Sequence, residues 1–251
     1  GRALLLVPGA LLFVLVVVFP AVALVSRSIS LGAADAQSIW PTGRQWGLLG
    51  RSLWLAGWAT VVGVSLSLPA AYVVGRVGRL IRSPVLGAML LAPLLLPPMV
   101  YVFGWQRFPR LGVPDELLCI WVWASWLWPI PAMLIGTAWA RWGRYAYEAA
   151  VLDAPPHRAF GRVVLPLLVR QAGMGGLILL ALYLTEYSVP HACGLIVLAT
   201  ELLGQAMLSP RPADVLMPAW PLVAVAVLAL GVFYAAWRRR GAEEGELAAE
   251  P

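Results

Sequence analysis

Long apolar runs alternate with short polar ones along the whole chain. Runs at 3–26, 53–75, 83–106, 117–140, 171–189 and 215–237 carry few or no charges. Crossing a bilayer as a helix takes about 20 apolar residues, so the pattern predicts an all-α, polytopic membrane protein of about six transmembrane helices. The first run resembles a signal peptide ending at Ala21-Val22-Ala23, but a signal core is only ~7–15 residues long, so a spanning helix is expected instead. The 83–106 run contains Pro93 and the pair Pro97-Pro98, which must kink or break a helix. Irregular backbone at membrane depth is tolerated where it lines a cavity or is buried in protein. Pro97, Pro98 and Tyr101 are therefore candidates for a pathway wall, with a simple packing kink as the other reading. In the 117–140 run Pro129 and Pro131 predict a second kink. Trp121, Trp123, Trp126 and Trp128 fall on different helix faces there, which argues against an aromatic box.

The 171–189 run opens with Gly173, Gly175 and Gly176, small residues that allow close helix contact. Glu186 lies near its far end. An ionisable residue in or beside a span is a functional candidate by default, here as a carboxylate facing a substrate path. Capping the next segment, or pairing with an arginine such as Arg211, is the alternative. Pro190 and Gly194 interrupt the apolar run that follows, so 190–200 is expected to dip or lie on a surface. A short amphipathic helix is expected over 201–208.

The segment 141–170 differs from every other connection. It is long, polar and regular. Tyr145, Glu148, Ala149 and Leu152 fall at i, i+3, i+4 and i+7, one face of a short helix. Phe160, Val163, Val164 and Leu167 repeat the spacing after Pro155-Pro156. Two short amphipathic helices flanking a bend are expected. Asp153 is expected to N-cap the second, with the prolines in its first turn.

Charge fixes the expected orientation. The chain of 251 residues is 61% hydrophobic and 12% charged, roughly half the usual charged share of a soluble domain. All 18 basic residues are arginine. They cluster at the ends of apolar runs, a topological signature, so the net charge of +6 does not point to nucleic acid. Arg2, the arginines of 76–82, those of 141–170 and Arg238–Arg240 predict cytoplasmic termini and a cytoplasmic 141–170 segment. The expected division is a permease-like membrane domain over 1–240 and an acidic, disordered tail over 241–251. Cys119 and Cys193 have no metal-ligand spacing. A disulfide and two small apolar side chains are both open to them. His157 and His191 are expected on opposite sides of the membrane, which excludes a shared metal site.

The 141–170 segment resembles the cytoplasmic Glu-Ala-Ala loop of binding-protein-dependent ABC importer permeases of the type I fold. Glu148-Ala149-Ala150, Asp153, Phe160 and Leu165-Pro166 match that family pattern in order and spacing. Ala154 stands where the family usually has glycine. A Cβ in a left-handed turn costs about 1 kcal/mol or more, so the turn is expected to be remodelled around Pro155. The resemblance implies that Glu148, Ala149, Ala150, Leu152, Asp153, Ala154, Pro155, Phe160, Leu165 and Pro166 couple the chain to a separate ABC ATPase. ATP and Mg would sit on that partner, with no cofactor on this chain. It also implies a second permease subunit, identical or homologous, an extracytoplasmic substrate-binding protein, and a bacterial inner membrane. Glu186-Tyr187-Ser188-Val189-Pro190, with Gly194 and Thr200-Glu201, resembles the subfamily carrying ferric iron, thiamine, polyamines or phosphonates.

Catalytic patterns do not stand out. A phosphate-binding Gly-x-x-x-x-Gly-Lys-Ser/Thr loop cannot form without lysine. The expected function is transport, not enzymatic catalysis. A secondary transporter, to which broken helices and a membrane glutamate are also suited, and a non-transporting assembly protein are the alternatives.

Overall fold

The computed structural model describes residues 41–76, 84–107, 113–208 and 219–235, with 19, 22, 23, 26 and 238. The expected first span, the basic 77–82 connection and the 241–251 tail therefore lie wholly or largely outside the described residues. Within them every regular element is a helix.

Helix α1 (Gly43–Arg76) is the centre of the packing. It starts earlier than the apolar pattern implies, inside what reads as a polar connection. The reason is local: Thr42 Oγ1 accepts from the Gln45 N–H at 3.4 Å, and Gln45 Oε1 accepts from the Thr42 N–H at 2.8 Å. This reciprocal pair satisfies two backbone donors at the helix start. The Thr42-Gly43-Arg44-Gln45 spacing carries that signal, and hydropathy hides it.

Helices α2 (Pro84–Leu95) and α3 (Pro98–Gln106) replace the expected third span. They meet at 89°, so the proline pair breaks the helix instead of bending it. Pro97 is extended and Pro98 opens α3. Helices α4 (Asp115–Leu127) and α5 (Pro129–Ala138) are bent by 44° at Trp128-Pro129, where a kink was expected. A π-helical turn, Trp139–Gly143, leads from α5 into α6 (Arg144–Asp153). The four-residue α7 (Pro156–Ala159) and a second π turn, Phe160–Val164, lead into α8 (Leu165–Thr185). Beyond it come α9 (Ser188–Ala192), α10 (Leu198–Leu208) and α11 (Ala219–Ala235).

Two continuous helices, Gly43–Gly75 and Pro156–Thr185, are long and apolar enough to cross a membrane, and up to four spans result if each bent pair is one span. Ala219–Ala235 is apolar but shorter. The protein is thus a helical protein with membrane-spanning candidates, and the count of six is not reached among the described residues.

Packing explains several small residues. Helix α1 packs on α4, α5 and α8, and α8 packs on α5. A Cβ on Gly136 would lie 2.6 Å from Val74 Cγ1, and one on Gly175 would lie 2.7 Å from Pro131 Cβ. Gly176 also faces a neighbour, Thr60 of α1. Gly173 has nothing within 4 Å and does not serve helix contact.

Candidate functional site

The expected 141–170 segment is helical on both sides of a bend, yet its second half is not a separate helix. Pro156–Thr185 runs on as one apolar helix long enough to cross a membrane, so the helix expected from residue 171 starts well before it. Pro166 would be expected to interrupt it, since a proline has no N–H to bond the preceding turn. The π turn just ahead absorbs the mismatch: the Leu165 N–H bonds the Phe160 carbonyl five residues back. The same device joins α5 to α6 at Trp139–Gly143. α6 therefore hangs between two membrane-sized helical segments, connected through helical backbone on one side and a single sharp bend on the other.

That bend spans Ala154 and Pro155. Ala154 is extended (φ −147°, ψ 152°), and its N–H closes α6 on the Ala150 carbonyl at 3.0 Å. No left-handed residue is used, so its Cβ adds no strain. The only positive-φ residue among those described is Gly194. Pro155 (φ −59°, ψ 147°) is the N-cap of α7, and its carbonyl accepts from Arg158 N–H at 2.9 Å and Ala159 N–H at 3.1 Å. Asp153 is the last residue of α6 and not the N-cap of the next helix. The cause is chemical. An N-cap side chain needs the N–H of the second or third helical residue. Counted from Asp153 those are Pro155 and Pro156, which have none. Residues preceding proline are also driven to extended backbone, so Ala154 and Pro155 both leave the helix.

The first expected face is exposed as a whole. Tyr145 is 70% and Leu152 87% exposed, and Glu148, Ala149 and Asp153 are exposed beside them. Ala150 and Ala154 are half-buried. In the second half Ala159 and Val164 are buried, and Phe160, Leu165, Pro155 and Pro166 are exposed. A cavity of about 450 Å³ opens between α1, α5 and α8. Phe160 and Leu165 line it together with Leu68, Tyr72, Ile135 and Trp139, so the segment reaches directly into a cleft between long helices.

The other sequence candidates lie at the end of the helices where α9 sits. Glu186 follows α8 and is extended (φ −87°, ψ 124°). Its Oε2 accepts from Trp123 Nε1 at 2.9 Å and from the Val189 N–H at 3.0 Å. Its Oε1 accepts from the Ser188 N–H at 2.7 Å and from the Ser188 hydroxyl. This is the capping arrangement, with a tryptophan added. The Trp123 ring is stacked on Tyr183 at 5.2 Å, and the Tyr183 hydroxyl donates to the Trp123 carbonyl at 2.9 Å. Pairing of Glu186 with Arg211 lies outside the described residues. Tyr101 donates to the Ser125 carbonyl at 3.0 Å, which ties α3 to α4 just beyond the break at Pro97-Pro98. The tryptophans of α4 do face different ways: Trp121 meets Trp105 edge-on, and Trp123 is buried on Tyr183.

The 190–200 stretch dips from the surface into the core: His191, Gly194 and Ile196 are exposed between buried neighbours. Leu195 and Val197 are buried, and the Leu198 N–H bonds Ser52 Oγ of α1 at 3.1 Å. Arg51 bonds Glu116 at 2.7 Å and Arg44 bonds Glu201 at 3.0 Å, which joins α1 to α4 and α10 at this end. No metal-ligating cluster occurs among the described residues.

Fold and site together show a helical protein with helices long and apolar enough to cross a membrane, and with the exposed helix α6 slung between long helices. No family model matches the chain, and no curated protein matches it.

Proposed function

We propose that the chain is the permease subunit of an ATP-driven ABC importer of the type I fold, with α6 and the bend after it as the docking element for a separate ATPase. One observation carries this reading. The Tyr145, Glu148, Ala149, Leu152 face is exposed throughout, and it belongs to a helix joined to α5 by one π turn and to α8 by the bend, α7 and a second π turn, beside the α1–α5–α8 cleft. Leu152 in open water would be unfavourable by the usual measure of apolar exposure, roughly 25 cal/mol per Å². A small Ala149 beside it permits close approach of a partner. Motion imposed on α6 would pass to α5 through helical backbone, and to α8 through the bend and through the packing of α6 on the second π turn.

In this reading the α6 end is cytoplasmic and the α9 end faces the binding protein in a bacterial inner membrane. A second copy or a homologous subunit completes the pathway, since one chain presents only part of a wall. The cargo class is a small cation or polar solute of the ferric iron, thiamine, polyamine or phosphonate kind. The Glu186 carboxylate is occupied by four donors, so the support for its lining the path is weaker than for its fixing α8 to α4 and α9. Reconstitution into vesicles with the ATPase that co-purifies with this chain tests the proposal. Uptake should require ATP and the binding protein. Uptake driven by an ion gradient without any ATPase would identify a secondary transporter instead.

A further inference from the structure

Cys119 lies in α4 and is fully buried, and Cys193, in the turn that ends α9, is 4% exposed. Both are thiols in this structure. Although remote in sequence, both side chains belong to one buried core where α9 packs on α4, and Cys193 is a near neighbour of Cys119 there. Bonds that do not involve sulfur hold them there. The Cys193 N–H bonds the Val189 carbonyl at 3.0 Å, and Gly194 takes the left-handed turn that follows (φ 74°). Gln106 Nε2 of α3 donates to the Ala192 carbonyl at 2.8 Å. Glu186 fixes the start of α9 to Trp123, one turn further along α4 than Cys119. The placing of both cysteines in one core is therefore imposed by the junction of α3, α4 and α9.

We propose that Cys119 and Cys193 form an intramolecular disulfide that staples α4 to the α9 turn. This rests on the orientation given above, which puts the α9 end on the side facing away from the cytoplasm, where disulfides persist. Each thiol loses its proton, the two sulfurs bond, and two electrons pass to the disulfide of a thiol oxidase on that face, which takes up two protons and becomes a dithiol. Burial sets the timing. The bond closes while α9 is docking, and once closed it is sealed from reductants by the same core. The staple would hold the Glu186 junction shut in exactly the segment between the fifth and sixth apolar runs.

The test is alkylation of the full-length protein, denatured in the presence of a maleimide straight from cells, followed by intact-mass measurement. No adduct without reductant and two adducts after reduction are expected. Two adducts without reductant overturn the proposal, as does a covalent dimer that reduction dissolves. Orientation is read separately. In the double variant Cys119→Ser/Cys193→Ser, His191→Cys supplies an exposed thiol on α9, and a membrane-impermeant maleimide is added to intact cells with a permeable outer membrane. Labelling supports the orientation, so that reduced native thiols would then count against the disulfide alone. No labelling, with labelling restored by lysis, overturns the orientation and the disulfide together.

Discussion

The α9 end of the molecule ties its helices together through side chains, while the α6 end presents the exposed face of a single helix. At the α9 end Glu186 uses both oxygens on donors, the Trp123 and Tyr183 rings are buried against each other, and Arg44 and Arg51 are paired. At the α6 end Tyr145 and Leu152 stand in the open, and the helix holding them makes its contacts mainly with the π turns and α7. Side chains that are satisfied within the chain serve its stability. Tyr145 and Leu152, which the fold leaves exposed on one helix face, are open to contact with something else. Substitutions should therefore separate cleanly, changing folding at one end and partner-dependent activity at the other.

The largest effect is expected at α6. Glu148→Arg or Ala149→Trp should abolish ATP-driven uptake and weaken ATPase co-purification, and Ala149→Trp should leave the thermal midpoint of the purified chain unchanged. A bulky side chain overpacks a close interface at a cost of about 1–3 kcal/mol or more. Normal transport by Ala149→Trp would break the comparison at its functional half.

Core packing comes next. Gly136→Ala places a methyl 2.6 Å from Val74 Cγ1 and 3.0 Å from the Ala71 carbonyl, so a loss of about 1–3 kcal/mol is expected. Gly173→Ala is the control, because nothing lies within 4 Å of it. Equal thermal midpoints for the two variants would contradict the α1–α5 contact.

Glu186→Gln should lower stability by about 1–3 kcal/mol, because an amide offers one acceptor oxygen to donors that now share two. Uptake per folded complex should stay near normal. Reduced uptake at unchanged stability would return Glu186 to the substrate path.

The smallest effect is expected at the bend. Ala154→Gly removes a Cβ from an extended residue, so only the extra freedom of the unfolded chain acts, and a loss of up to about 1 kcal/mol is expected with coupling intact. Faster ATP-driven uptake in this variant would mean that a left-handed turn is needed there after all.

Much of this division was legible in the residues. The i, i+3, i+4, i+7 face of α6 and the breaks at Pro97-Pro98 and Pro129 follow from local rules, and local rules see them. The start of α1 was legible too, in Thr42 and Gln45, but apolar patterning does not register a capping pair. The N-cap at Asp153 was misread because the side chain suits the role while the two prolines after it offer nothing to cap. The continuity of α7 with α8 was hidden by Pro166, whose disruption a π turn absorbs. Least legible was the Glu186–Trp123–Tyr183 junction. Each residue signals a need for a partner, but its partner arrives from a distant stretch of chain, and no spacing rule pairs them.

The central claim is that the exposed α6 face meets an ATPase, and cross-linking tests it most directly. In a chain whose own cysteines are serine, Tyr145→Cys, Ala149→Cys and Leu152→Cys are each labelled with a maleimide that carries a photoreactive group, combined with the ATPase that co-purifies with the wild type, and irradiated. Ala159→Cys, at a position only 2% exposed, is the buried comparison. The account predicts cross-links from the three exposed positions, varying with bound nucleotide, and none from residue 159. An active complex that yields no cross-link from any of the three would contradict it.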